Sequence, residues 1–360
     1  MTVIGAFAPG RVNLIGEHTD YNLGFALPIA LELGTTVMFT PDGSAAITAV
    51  SDSETASSVI PLTTAPGGVT GWGAYVAGCV WVLGEGGIAV PGGRLEVSSD
   101  VPVGAGLSSS AALECAVLLA LTSAADGPVP DRIALAKLAQ RAENHYVGAP
   151  TGLLDQLASL CAEPDAALLV DFQSLDLTTV PADFGDCYRL LVIDSRAPHR
   201  HADGEYAARR SVCAAAAAEL GLDSLRDAAP DDWRRLVDPV QAARARHVIT
   251  ENARVVDAAD ALRASDYARF GALMNASHIS MRDDFAITTD QIDLIACTAA
   301  AMGAIGARMT GGGFGGSVIA LASAEAAERI IADLPTAVVD ARFNEPTVRA
   351  VRPGAGAHLL

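Results

Sequence analysis

Short apolar runs separated by Gly, Pro, Asp and Ser open the chain, 26–33 and 35–39 among them. They predict a first 60 residues built mostly of strands and turns. Apolar spacing then predicts a helix over 73–83, with Tyr75 and Trp81 on its surface or its seam. The alternation of 94–101 predicts a strand that Pro102 closes, and 111–123 reads as a largely buried helix. Pro130-Asp131 opens a helix running to about Val147, where Gly148 supplies the stop and Pro150 enforces it. A short helix follows from about Gly152. Segments 166–172 and 188–194 read as strands, and the alanine-rich 205–220 and 242–264 as helices. Beyond them the pattern predicts a helix over 292–302, strands over 304–309 and 317–322, a helix over 324–334 and a last strand over 337–342. This mixture predicts an α+β chain. Pro181-Ala-Asp-Phe-Gly185 interrupts it, so a division into 1–185 and 186–360 is expected.

Length and composition narrow this picture. A chain of 360 residues fits two lobes of ordinary domain size. Hydrophobic residues at 51% against 18% charged predict a well-buried core rather than disorder. Acids exceed bases by 42 to 24, a formal charge of −18, which disfavours nucleic acid and anionic membrane as partners. Lys137 is the only lysine, so an anionic ligand must be held by arginine, metal or backbone N–H groups. No GxxxxGK[ST] run exists, which excludes a P-loop nucleotidase. The six cysteines are scattered singly, which argues against zinc, iron–sulfur clusters and a disulfide framework. The N-terminus lacks the features of a signal peptide, and the apolar run 115–125 is too short to span a bilayer. A soluble protein of the reducing cytoplasm is expected.

Three glycine-bearing segments carry the candidate chemistry. The first is Ala8-Pro-Gly-Arg-Val-Asn-Leu-Ile-Gly-Glu-His-Thr-Asp-Tyr-Asn22, dense in Arg11, Asn13, Glu17, His18 and Asp20. That mix of donors and acceptors suits a polyhydroxylated ligand, because buried polar groups left unpaired reject the wrong isomer. The second, Val101-Pro-Val-Gly-Ala-Gly-Leu-Ser-Ser-Ser-Ala-Ala-Leu-Glu114, leads from a strand through small residues into a helix. A helix start offers free N–H groups and a positive dipole, an anion cradle that needs no lysine. Its serines could also serve simply as helix caps. The third, Met309-Thr-Gly-Gly-Gly-Phe-Gly-Gly-Ser317, places five glycines in nine residues between two strands. Such a run is costly to order and points to backbone set closely against a ligand or another backbone. Glu143 near one helix end and Asp155 in the first turn of the next could share a site, one for metal and one for chemistry.

Together these runs resemble the GHMP kinase superfamily, and 10–22 is similar to the signature of its galactokinase branch nearly letter for letter. The likeness extends to Gly152-Leu-Leu-Asp155-Gln156, Gly204-Glu-Tyr-Ala-Ala-Arg-Arg210, Ser277-His-Ile-Ser-Met-Arg-Asp-Asp-Phe285 and the turn at 311–316. The resemblance implies two lobes, a β-rich N-terminal one and a ferredoxin-like C-terminal one, with the active site in the cleft between them. The implied activity is ATP-dependent phosphorylation of α-D-galactose at its C1 hydroxyl. By matching position, Glu17, His18, Thr19 and Asp20 meet the sugar, helped by Gly152, Asp155 and Tyr206. Gly104, Ala105, Gly106, Leu107, Ser108, Ser109 and Ser110 wrap the ATP phosphates, and Ser110 and Glu143 ligate Mg²⁺. Asp155 is the implied catalytic base and Arg11 its transition-state partner. Leu23 departs from the pattern, which commonly has glycine there, and so does Ser317 after the last glycine run. The expected partners are galactose and ATP, acting on a monomer. Kinases for N-acetylgalactosamine or arabinose share the scaffold. So do sensors that bind galactose and ATP without catalysis, but these have a damaged serine loop, and here 106–112 is intact.

Overall fold

The computed structural model describes residues 2–197 and 202–360. β1 (Ile4–Asn13), the two-residue β2 (Phe25–Ala26) and β3 (Pro28–Pro41) lead into β4 (Ala46–Ser51) and β5 (Ser58–Pro61). α1 (Gly73–Glu85), β6 (Gly93–Ser99) and α2 (Ser109–Ala124) follow. α3 (Arg132–Arg141) widens into a π-type turn over Ala142–Val147, which Gly148 ends at a left-handed φ of 89°. Next come α4 (Leu154–Cys161), β7 (Ala166–Asp171), β8 (Asp176–Pro181) and β9 (Tyr188–Asp194). The second half continues with α5 (Ala202–Leu220), α6 (Pro239–Arg263), α7 (Tyr267–Ser280) and α8 (Asp290–Ala301). β10 (Ala304–Thr310), β11 (Ser317–Ser323), α9 (Ala324–Asp340), β12 (Thr347–Val351) and β13 (His358–Leu359) complete it.

The strands form three sheets. The largest has the order β13-β1-β3-β6-β4-β5, antiparallel apart from the parallel pair β4 and β6. A small sheet holds β2-β7-β8, and a third has the order β10-β11-β9-β12. Counted along the chain, that third sheet runs 4-1-3-2, antiparallel throughout, with helices between its first and second and its third and fourth strands. This is the ferredoxin-like arrangement. One buried cluster lies under the first sheet, with Phe39, Ile47 and Leu95 against Val117 and Leu121 of α2. Another joins Ile193 and Val318 to Ile295 of α8 and Leu334 of α9. A third bridges the halves, packing Val12, Leu14 and Ile29 on Val255, Phe270 and Ile319.

The expected strand over 337–342 is instead the end of α9, which continues to Asp340 with Pro335 inside it. Buried Ile330, Leu334 and Val338 recur every four residues and keep one helical face packed across the proline. The final strands part company: β12 stays beside β9, and β13 crosses back to β1 through Ala6–Leu359 and Phe7–His358 pairs. β8, α7 and β12 have no counterpart in the sequence reading.

Candidate active site

The three glycine-bearing segments converge on one cleft of about 400 Å³. β1 breaks register between Pro9 and Arg11, and Arg11 N–H turns to donate to Leu107 O at 3.1 Å. A Cβ at position 10 would lie 2.7 Å from that same carbonyl, so only glycine allows the approach. Across the cleft, Ser317 Oγ donates to Ala105 O at 2.7 Å, tying the third segment to the second. A Cβ on Gly313 would meet Ile287 Cβ at 2.7 Å, and Gly313 also carries a φ of 89°. The glycine turn is therefore pressed against other parts of the chain on two sides.

Ser108 precedes α2 in left-handed conformation, with φ 59° and ψ 49°, and its side chain does not cap the helix. Its hydroxyl donates instead to Asp155 Oδ2. The first N–H groups of α2 thus start at the cleft wall without a side-chain cap, where helix dipole and orphan donors favour an anion. Asp155 sits in the first turn of α4. Arg11 Nε donates to its Oδ1 at 2.8 Å, Nη2 forms an ion pair with the same oxygen at 2.8 Å, and Nη1 donates to Gly106 O at 2.7 Å. A guanidinium fork held at three points is a fixed cation between the first two segments.

Asp20 lines the cleft beside Gly152. Burial, with the charge of Asp155 adding to it, pushes the Asp20 carboxyl up to about 6. Glu17 lies deeper. Its Oε2 pairs with Arg308, which has 0% exposure, and its Oε1 accepts from Gly311 N–H at 3.0 Å. Glu251 of α6 faces the same arginine at 3.9 Å and is held at about 2. Burial pushes its carboxyl up, but Arg254, His247 and Arg308 more than offset this.

His18 Nε2 lies 3.0 Å from Gly312 O and Nδ1 lies 2.7 Å from Tyr21 OH. The carbonyl can only accept, so Nε2 carries the proton and Nδ1 accepts from the phenol. Burial first lowers the His18 pKa to about 3, leaving a neutral ring with both nitrogens engaged by protein. That ring packs on Tyr206 of α5 at 5.1 Å and on Phe285 at 4.8 Å, so it shapes the wall through its faces. Thr19 turns away, donating to Gly16 O and Phe25 O, and Ala105 is buried behind the second segment. Tyr206 reaches the cleft from the second half of the chain.

Glu143 and Ser110 meet behind the loop. Ser110, Thr151 and Gln156 all hydrogen-bond the Glu143 carboxylate, the last two at 3.0 and 2.9 Å. Burial nevertheless raises its pKa, and Asp155 adds to that. A hydroxyl beside one carboxylate is the hard, all-oxygen pair that Mg²⁺ accepts, since it takes few protein ligands and keeps phosphate and water as the rest. A cation there would also relieve a carboxylate whose charge burial disfavours. The donor set fits.

Residues 2–41 match the galactokinase galactose-binding signature, 74–163 the N-terminal domain of GHMP kinases and 258–340 their C-terminal domain. The chain is 56% identical over 354 residues to the galactokinase of Mycobacterium tuberculosis, covering 97% of each. The chain belongs to the galactokinase family. The galactokinase of Streptomyces coelicolor is 42% identical over 368 residues, covering 98% of this chain and 93% of that one. A solved galactokinase, that of Lactococcus lactis complexed with galactose, superposes with a TM-score of 0.92 at 30% identity over 99% of this chain and 95% of its own. A mevalonate kinase structure at 18% identity and TM-score 0.68 shares the fold alone.

Three residues of the site are not legible in the sequence in the positions they take here. Arg308 lies far along the chain in a strand whose neighbours are apolar, and only its charge in a buried run signals it. The sequence places Ser108 in the phosphate loop, whereas its bond to Asp155 depends on the left-handed backbone. Asn13 is one polar residue among several in its segment, and that its buried carboxamide has no partner among the described residues is visible only in three dimensions.

Proposed function

We propose that this chain is a galactokinase that transfers the γ-phosphoryl group of ATP to the C1 hydroxyl of α-D-galactose, giving galactose 1-phosphate and ADP. The observation that carries the reading is the Arg11–Asp155 pair, set between the sugar-type segment and the loop 104–110. Asp155 Oδ2, to which Ser108 donates, keeps a second lone pair for the sugar hydroxyl. Asp155 orients that hydroxyl and receives its proton as oxygen bonds to phosphorus and the bond to the β-phosphate oxygen breaks. Arg11 faces the transferring group and stabilises its charge, which suits a loose transition state where positioning and electrostatics dominate. Glu17, Asp20, Gly152 and Tyr206 shape the sugar side, with His18 as a neutral aromatic wall and Thr19 as an internal brace. Gly104 to Ser110 and the start of α2 take the phosphates. Ser110 and Glu143 would hold Mg²⁺, which when bound offsets charge on the phosphate oxygens. We assign the lobes to 1–185 and 186–360, with support from the break between β8 and β9.

An ADP-release assay with Mg·ATP and a sugar panel tests the reading. Galactose is expected to exceed N-acetylgalactosamine, arabinose and the C2 and C4 variants. Galactose binding without ADP release would point to a sensor. Asp155→Asn is expected to keep galactose binding and lose most turnover, and near-wild-type kcat in that variant overturns its role.

A further inference from the structure

Asn13 ends β1 two residues beyond Arg11, so the two side chains leave the same face of the strand. It lines the cleft, yet it is 1% exposed, and neither its Nδ2 nor its Oδ1 has a hydrogen-bond partner among the described residues. Its backbone cannot swing away. Thr310 Oγ1 bonds both Asn13 N–H and Asn13 C=O, at 3.1 and 3.0 Å, and Arg308 Nη1 donates to the same carbonyl at 3.1 Å. A buried polar group left unmet forfeits its hydration without a replacement bond, and Val12, Leu14 and Ile15 beside it are fully buried apolar residues. An apolar residue would satisfy packing at this position, so the carboxamide needs another explanation.

We infer that the Asn13 carboxamide is a specificity-determining contact that both donates to and accepts from a hydroxyl of the sugar. This rests on the sugar-kinase reading above. A phosphate oxygen only accepts and would leave Oδ1 unmet against an anion, whereas a hydroxyl gives and takes one bond each. The carboxylates of the wall around it contribute acceptors. Asp20, Asp155 and Glu17 only accept when ionised, and the guanidiniums of Arg11 and Arg308 are engaged by carboxylates. A sugar oxygen needs a donor as well as an acceptor, and Asn13 Nδ2 supplies one without charge.

The experiment uses the full chain and its Asn13→Leu and Asn13→Ser variants. It measures kcat and KM for galactose and ATP, the same constants for a set of monodeoxygalactoses, and the melting temperature. Asn13→Leu is expected to lower kcat/KM for galactose about 10- to 100-fold, with ATP KM within about twofold and no loss of melting temperature. Wild type is expected to lose a similar factor on one deoxy sugar, and Asn13→Leu is expected no longer to distinguish that sugar from galactose. If Asn13→Leu does not fold, Asn13→Ser carries the same comparison. Unchanged kcat/KM, a shift in ATP KM instead of the sugar's, or an equal loss on every deoxy sugar overturns the inference. Absence of sugar phosphorylation by wild type would sink the parent reading instead.

Discussion

Gly152 has no room for a side chain because Asp20 already occupies the space: a Cβ there would lie 1.5 Å from Asp20 Oδ2. Gly152 is not in the left-handed region, so the requirement is steric and not conformational. Gly152→Ala must therefore displace the Asp20 carboxylate. The expected result is a galactose KM raised about tenfold or more with ATP KM little changed, read by steady-state kinetics. Equal effects on both substrates would show that the whole cleft had shifted.

Asp20 sets a pH limit. Its carboxyl is raised from 3.8 to about 6, chiefly by burial, so in the free protein it gains a proton just below neutrality. If its carboxylate accepts sugar hydroxyls, kcat/KM for galactose falls about tenfold per unit below that value. His18, at about 3, stays neutral throughout the same range. Because the folded value lies above the unfolded one, the stability contribution is complete below 3.8 and is lost as pH rises through about 6. Asp20→Asn should accordingly lose activity, flatten the acid limb and unfold at higher denaturant at pH 7. An unchanged acid limb in that variant removes Asp20 as its source.

Leu23 holds φ 55° and ψ 24°, a left-handed conformation that costs a branched side chain about 1–2 kcal/mol. It is 39% exposed, so little packing compensates. Its position is the one where the family signature commonly has glycine. Leu23→Gly is expected to raise stability by roughly 0.5–1 kcal/mol, after the greater unfolded-state freedom of glycine is counted. A urea midpoint that moves upward at constant slope supports this, and a lower midpoint contradicts it.

Glu114 in α2 is 0% exposed, and neither of its carboxyl oxygens has a partner among the described residues. Burial and then the nearby Glu143 charge lift its pKa well above the ordinary 4.5. Folding favours the protonated form, so its stability contribution is complete below 4.5 and is lost as pH climbs through the raised value. Glu114→Gln should match wild type in mildly acidic urea titrations without metal and exceed it progressively as the buffer becomes alkaline. A difference independent of pH would mean that Glu114 does not titrate in this way.

The parts of this protein that could be read from the sequence share a physical cause. Tyr188–Asp194 is a buried apolar strand in a sheet centre, and its bounds agree with the reading residue for residue. β12 sits at the sheet edge with Val351 its one buried residue, so its pattern carries almost no signal. α9 misled because Ala337-Val-Val339 looks like a strand after a proline, whereas the four-residue spacing from Ile330 decides the outcome. In the site, Arg11 stands out as a charge in a glycine-bearing segment, whereas the part expected of Asp155 rests on the family resemblance. What Glu17 and His18 touch was not legible, because Arg308 and Gly312 reach them from about 290 residues away.

The cluster that joins Val12 and Ile29 to Val255, Phe270 and Ile319 runs straight across the two halves, as does the buried chain Glu17–Arg308–Glu251. A hinge that parted the halves would wet this apolar seam and strip a buried ion pair of its partner, each a penalty of several kcal/mol. The halves consequently behave as one mechanical body and not as the jaws of a clamshell. The wall of the cleft is therefore cast when the chain folds. Whatever selectivity the cleft has is then built in before any encounter, a lock whose shape does not wait for its key.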